Sequence, residues 1–160
     1  MFISKWSISS TGKLFLNDQP FEHRKVFIVH LDDHKIFAKG LADGITPFFP
    51  LADIINIQDG HRAFRLVKEI ITDQCKVDLI ITDINHPGLK GDEFLKELRL
   101  LEKKMKVPRT PAIVVSMVDA EHMPHLSGPG LNIVDHYFTK CAETEVIVAA
   151  IEDIIYPCNK

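Results

Sequence analysis

The sequence contains three apolar runs that do not alternate: Val26 to Leu31, Leu79-Ile80-Ile81 and Ala112 to Val115. A strand with one wet face carries a polar residue at every second position; these carry almost none. Both faces must therefore be covered, as in a parallel sheet packed between helices. Ile54-Ile55-Asn56-Ile57 and Ile133 to Phe138 supply two further strands. Between the runs, apolar residues recur at helical spacing. His34 to Asp43 does so through Ile36, Phe37, Leu41 and Ala42, with Gly44 as the breaker. Gly60 to Asp73 uses Ala63, Leu66, Val67 and Ile70; Glu93 to Lys104 uses Phe94, Leu95, Leu98 and Leu101. Thr144 to Ile155 uses Ile147, Ala150, Ile151 and Ile154. Asp119 to Leu126 reads as a short helix that Ser127-Gly128-Pro129-Gly130 ends. Strand and helix alternate five times, which predicts an α/β, doubly wound, five-stranded parallel sheet.

This pattern occupies residues 25–156 and leaves an N-terminal extension, 1–24, and a short tail, 157–160. In the extension, Lys5 to Ser9 and Lys13 to Leu16 flank Ser10-Thr11-Gly12 and could pair as a β-hairpin. Trp6, Phe15 and Phe21 would then pack on the main domain or on a second subunit; the alternative is a partly ordered tail. Thr46-Pro47-Phe48-Phe49-Pro50 is a proline-bounded loop whose two phenylalanines are expected to join a satellite core. Five residues follow Ile155, so either the chain stands alone or it is part of a longer one.

The strand ends carry the candidate chemistry. The first strand runs into Asp32 and Asp33, and the third into Asp83. In an open α/β sheet the working residues gather at the carboxyl ends of the strands. Three carboxylates converging there cannot all stay ionised without a compensating cation. An oxygen-only cluster suits Mg²⁺, which favours a few carboxylates, water and a phosphate. The alternative for Asp32 and Asp33 is a helix N-cap. The fourth strand ends on Ser116 and the fifth leads to Lys140. A hydroxyl and an ammonium beside the acids would make a place for a phosphoryl group.

Composition changes this picture little. The 160 residues suffice for one domain with a core, at 46% hydrophobic and 26% charged. A net charge of −3 gives no electrostatic footprint for nucleic acid. No apolar run reaches membrane-spanning length, and Met1-Phe2-Ile3-Ser4-Lys5 lacks the long apolar stretch expected of a signal peptide. Cys75, Cys141 and Cys158 form no CxxC pair and suit a reducing cytoplasm. His122 and His125 lie three apart, and His30 and His34 flank the acid pair, but without further ligands nearby they read as exposed or core residues. His30 or His34 could still tune the acids by titrating near pH 6–7.

Asp32, Asp33, Asp83, Ser116 and Lys140, in this order, with Ile84-Asn85 and Pro87-Gly88 after Asp83, resemble the receiver domain of two-component response regulators. The resemblance implies a flavodoxin-like fold and roles for individual residues. Asp83 would be the phospho-acceptor. Asp32 and Asp33 would hold Mg²⁺, with Asp83 itself and the backbone carbonyl of Asn85 as further ligands. Ser116 would be the switch hydroxyl, Lys140 the phosphoryl-binding lysine and Tyr137 the switch aromatic. Asn85 and Val118 stand where the family tunes dephosphorylation. The implied partners are a sensor histidine kinase or phosphotransfer protein and a downstream effector protein, with a homodimer through the last helix face as a family-level expectation. No direct nucleic-acid or membrane contact is expected, and no enzyme activity beyond the chain's own phosphorylation and dephosphorylation.

Two positions depart from the family pattern. His86 stands where Met is frequent, and is expected to alter only the surface of the turn. Cys141 stands where Pro is usual, so the Lys140–Cys141 bond is expected to be trans. Two rival functions remain at this level. One is a phosphorylation-independent binding module. The other is an aspartyl-phosphate phosphatase, which needs a second acid two residues after the nucleophile, where this chain has Asn85.

Overall fold

The computed structural model describes residues 6–8, 14–16, 19–20, 25–127 and 133–157. In the extension, β1 (Trp6–Ile8) pairs antiparallel with β2 (Leu14–Leu16), and β2 with β3 (Gln19–Pro20). The hairpin is thus present and gains a third strand that the loose alternation did not indicate. Phe21 and the side chains of Trp6 and Phe15 lie outside the described residues.

The main sheet comprises β4 (Val26–Leu31), β5 (Ala52–Ile57), β6 (Leu79–Thr82), β7 (Ala112–Ser116) and β8 (His136–Thr139). All are parallel, in the order β5-β4-β6-β7-β8. The order reverses at β4, so the loops after β4 and β6 leave toward opposite faces and open a crevice between them. The un-alternated strands are covered on both sides, as the pattern requires. Val29, Leu31, Ile80, Ala112 and Val114 pack against α2 (Gly60–Thr72) and α3 (Gly91–Met105). Ile28, Leu79, Ile81, Ile113 and Val115 pack against α1 (Lys35–Ile45) and α5 (Thr144–Ile155). No helix among the described residues is long and apolar enough to cross a membrane.

Several boundaries differ from the expectation, each for a local reason. α1 runs through Gly44 to Ile45. A Cβ at Gly44 would stand 2.4 Å from Thr144 Cγ2, so this glycine serves the close approach of α1 to α5 rather than ending the helix. α1 buries Ala38, Leu41 and Ile45, and Ile36 is 91% exposed instead of facing inward. The two loop phenylalanines divide: Phe49 is buried and stacks on Tyr156 at 5.7 Å, whereas Phe48 is exposed. The 119–126 segment is a 3₁₀ turn (Ala120–His122) followed by one helical turn, α4 (Pro124–Ser127); Gly128, Pro129 and Gly130 lie outside the described residues.

β8 starts at His136 rather than Ile133, because Asp135 is used otherwise. Its carboxylate accepts from Ala112 N at 2.7 Å and from Arg109 Nη1 at 2.9 Å. Nearby lies an ion pair within α3, between Arg99 and Glu102, that the sequence pattern did not indicate. Glu102 is 3% exposed. It accepts from Arg99 Nη1 at 2.9 and 2.7 Å and from Thr110 N at 2.7 Å. Arg99 in turn donates to Ile133 O at 2.8 and 3.2 Å. A buried carboxylate is tolerated when its lone pairs are filled in this way.

Candidate functional site

β4 and β6 are neighbours, so their carboxyl ends bring Asp32, Asp33 and Asp83 into the crevice. β7 and β8 follow on the β6 side and add Ser116 and Lys140. All five residues singled out in the sequence meet at one rim. Asp32 and Asp83 are buried, at 0% and 3% exposure. Lys140 Nζ lies between them, 2.8 Å from Asp32 Oδ2 and 2.7 Å from Asp83 Oδ2. Its side chain is 7% exposed and crosses the ring of Phe37, with Nζ 4.9 Å from the centroid. The other oxygen of Asp83, Oδ1, accepts from Ser116 Oγ at 2.6 Å, Ile84 N at 2.5 Å and Asn85 N at 3.2 Å.

Burial alone would push the Asp83 carboxyl up. The hydrogen bonds from Lys140, Ser116 and Asn85 N outweigh it and hold the group below its ordinary value. Burial likewise disfavours the Lys140 ammonium, but Asp32 and Asp83 overcome this and raise it. Asp83 is therefore ionised at neutral pH, with both oxygens already oriented.

The backbone around Asp83 is tightly constrained. A Cβ on Gly91, the first residue of α3, would stand 2.0 Å from Asp83 O. Only glycine lets the start of α3 close against the strand end. Among the described residues there is no cis peptide bond, so Lys140–Cys141 is trans, and Lys140 reaches both acids without the proline. Cys141, the one departure that spoke for a phosphorylation-independent module, therefore leaves the lysine in place, and that alternative is not favoured. Tyr137 donates from its hydroxyl to Val118 O at 2.7 Å, and burial and the Asp83 charge raise its pKa. Val118 N in turn donates to Ser116 Oγ at 3.3 Å.

The histidines correct the sequence reading in two places, His86 and His30, and add one contact it did not foresee. His86 does not alter the turn's surface; it is 2% exposed, with Nδ1 3.2 Å from Pro87 O and Nε2 3.5 Å from Thr82 Oγ1. His30 is buried beneath Asp32, and burial lowers its pKa to about 4, so it does not titrate near pH 6–7. His125 Nε2 meets Asp92 Oδ2 at 3.2 Å and ties α4 to α3. Nothing in the spacing marked Glu102, His86 or this tie; a polar residue on an otherwise apolar face was the only available signal.

Ligand atoms of Asp32, Asp33, His34 and Asp83 all lie within 4.8 Å of one another. Asp33 Oδ1 is shielded from solvent and has no hydrogen-bond partner among the described residues. Three carboxylates with one oxygen left unmet fit a divalent cation.

The family model for the response regulator receiver domain matches residues 26–152. The chain belongs to this family. It is thus a receiver domain of the two-component response regulators, with their flavodoxin-like fold. The chain is 26% identical over 140 residues to the transcriptional regulatory protein DegU of Brevibacillus brevis, covering 86% of this chain and 52% of that protein. It is 30% identical over 89 residues to the glycerol metabolism activator of Pseudomonas putida, covering 56% of this chain and 36% of that protein. It spans about half the length of the first relative and about a third of the second. Among solved structures, the receiver domain of the histidine kinase CKI1 from Arabidopsis thaliana, complexed with Mg²⁺ and BeF₃⁻, superposes with a TM-score of 0.67 at 26% identity, over 82% of this chain and 91% of that one.

Proposed function

We propose that this receiver domain accepts a phosphoryl group on Asp83 from a phosphohistidine of a sensor histidine kinase or phosphotransfer protein. One observation carries the reading: each oxygen of Asp83 is met by a side-chain donor from the end of a different strand, Lys140 just after β8 on Oδ2 and Ser116 at the end of β7 on Oδ1. A carboxylate is a weak nucleophile, so positioning and charge neutralisation must supply the rate. An Asp83 oxygen attacks phosphorus, the P–N bond breaks, and the leaving imidazole keeps the electron pair and takes up a proton. Lys140 and Ser116 then follow the transferred charge from the carboxylate onto phosphoryl oxygens. Water is the later acceptor when the acyl phosphate hydrolyses. The chain catalyses only its own phosphorylation and dephosphorylation.

Asp32, Asp33, Asp83 and the Asn85 carbonyl would hold Mg²⁺, which offsets the repulsion between these acids and the incoming phosphoryl oxygens. The CKI1 receiver solved with Mg²⁺ and BeF₃⁻ supports this choice of ion. Ser116 Oγ is also bonded to Val118 N, and Tyr137 OH to Val118 O. Withdrawal of Ser116 toward the phosphoryl group therefore loosens the segment that Tyr137 contacts. Tyr137 turns inward and the protein-binding surface for an effector changes. The reading places the protein in the cytoplasm.

Intact mass after acetyl phosphate and Mg²⁺, on the wild type and Asp83→Asn, tests the proposal. A single gain of about 80 Da, one HPO₃ group, is expected on the wild type alone. A gain on both, or on neither while Mg²⁺ binds, refutes it.

A further inference from the structure

The acid pocket is not made of oxygen alone. His34 stands at the N-cap of α1, yet its side chain caps nothing. It turns back over the acids instead. Its Nδ1 lies 3.5 Å from Asp32 Oδ1, 3.4 Å from Asp33 Oδ1 and 3.4 Å from Lys140 Nζ. One ring nitrogen cannot serve all three, since it would have to donate to two carboxylates and accept from an ammonium at once. Each distance is also long for a hydrogen bond. A divalent cation resolves the conflict, because the Nδ1 lone pair and the carboxylate oxygens all donate to it. Ligands ~2.1 Å from one ion and at right angles lie ~3.0 Å apart. Small inward movements from the observed separations therefore close the shell.

A second observation comes from beneath. His30 is 1% exposed, and its Nε2 points at Asp32 Oδ2 from 4.0 Å with no hydrogen-bond partner among the described residues. Outer-layer imidazoles and carboxylates of this kind orient the groups that bind a metal. His30 is placed to donate to Asp32 once that carboxylate shifts toward an ion.

We propose that His34 Nδ1 is itself a metal ligand, so that this pocket is a mixed nitrogen–oxygen site favouring first-row transition ions such as Mn²⁺ over Mg²⁺. The inference rests on the reading of Asp32, Asp33 and Asp83 as the metal-holding acids. Imidazole suits the first-row transition ions, Mn²⁺ less than Fe²⁺, Ni²⁺ or Zn²⁺, whereas Mg²⁺ prefers oxygen ligands. His34 therefore adds affinity for one class of ion and little for the other.

The test uses the full chain without an affinity tag and Mn²⁺ as the probe. Electron spin-echo modulation should show a directly bound ¹⁴N in the wild type and none in His34→Ala. Mn²⁺ titration followed by its free electron-spin signal should show affinity reduced by at least about tenfold in His34→Ala. Mg²⁺ affinity, measured by competition, should change by less than about twofold in the same variant. His34→Asp should recover Mn²⁺ affinity without the nitrogen signal. Persistence of ¹⁴N modulation in His34→Ala, or an unchanged Mn²⁺-to-Mg²⁺ ratio, overturns the proposal while leaving the acid site standing. If Asp32→Asn leaves the binding of both ions unchanged, the acid-site reading fails as well.

Discussion

Lys140 is the internal counter-ion of the site, and its removal should reveal how much it contributes. In Lys140→Met the stem is kept and the charge is lost, leaving the Asp32 and Asp83 oxygens buried and facing one another. Nζ now lies 2.8 and 2.7 Å from them. At an effective dielectric of 20, each contact is worth about 6 kcal/mol in Coulomb terms. Desolvation of the ammonium cancels several kcal/mol of that. Truncating one member of a buried ion pair typically leaves a net loss of about 3–5 kcal/mol, and that is the expected effect in chelator at pH 7.5. Urea unfolding followed by circular dichroism measures it. Two companion experiments separate charge from packing. Asp83→Asn in the Lys140→Met background should recover at least about 1 kcal/mol, since one of the two unpaired acids is gone. Mg²⁺ at 100 times the wild-type dissociation constant stabilises the wild type by about 2.7 kcal/mol; at that same concentration Lys140→Met, whose unpaired acids bind the ion more tightly, should gain more and recover much of the loss. A loss under about 1 kcal/mol in chelator, or one that Asp83→Asn leaves unchanged, would refute the counter-ion argument.

Three other outcomes follow from the geometry. Glu102→Ala should cost about 3–5 kcal/mol in urea unfolding, because it takes the carboxylate from the half-buried Arg99 and leaves Thr110 N bare; Glu102→Gln, which keeps an acceptor for Thr110 N, should cost less, and the reverse order would count against the network. Gly91→Ala forces a Cβ onto Asp83 O, so stability should fall by about 1–3 kcal/mol and the acetyl-phosphate adduct yield with it; a wild-type yield would show that the strand end tolerates the shift. Burial pushes the Asp92 carboxyl up, but Lys96 and His125 outweigh it and hold it below its ordinary 3.8. A depressed carboxyl contributes stability that is complete above the unfolded value and lost as pH falls through the folded one. The stability gap between wild type and Asp92→Asn should therefore be widest at neutral pH and close as pH drops below 3.8; a gap that does not change with pH would contradict the assignment.

The strands and the acids were legible in the sequence because their signals are local. β4, β6 and β7 announce two-sided burial by lacking alternation, and a carboxylate after such a run has few structural reasons to be there. Helix ends and inward faces were less legible, because neighbours decide them. Gly44 reads as a breaker until Thr144 lies against it, and Ile36 reads as core until Ala38 and Ile45 prove to face the sheet. The buried polar residues could not be read at all. Glu102 lies four residues after Leu98, at core spacing on α3, yet its charge speaks for solvent, and only Arg99, Thr110 and the 133 region explain its burial. His86 needed Thr82 and Pro87 as partners, and His34 was noticed beside the acids without its orientation being known.

The anchoring of β8 has a mechanical corollary. At its leading end the strand is gripped by Arg99 on Ile133 O and by Asp135 on Ala112 N. At its trailing end Lys140 N is bonded to Ser116 O, and the lysine side chain is held by the two acids. A beam clamped at both ends neither slides nor tilts under a load applied at one of them; it yields only across its length. The direction left open points from Tyr137 toward residues 117–127, which form only a 3₁₀ turn and a single helical turn. On the proposed function, a charge added at Asp83 would thus be read out transversely. A staple between residues 117–127 and α3 should silence the output while leaving phosphorylation at the rim intact.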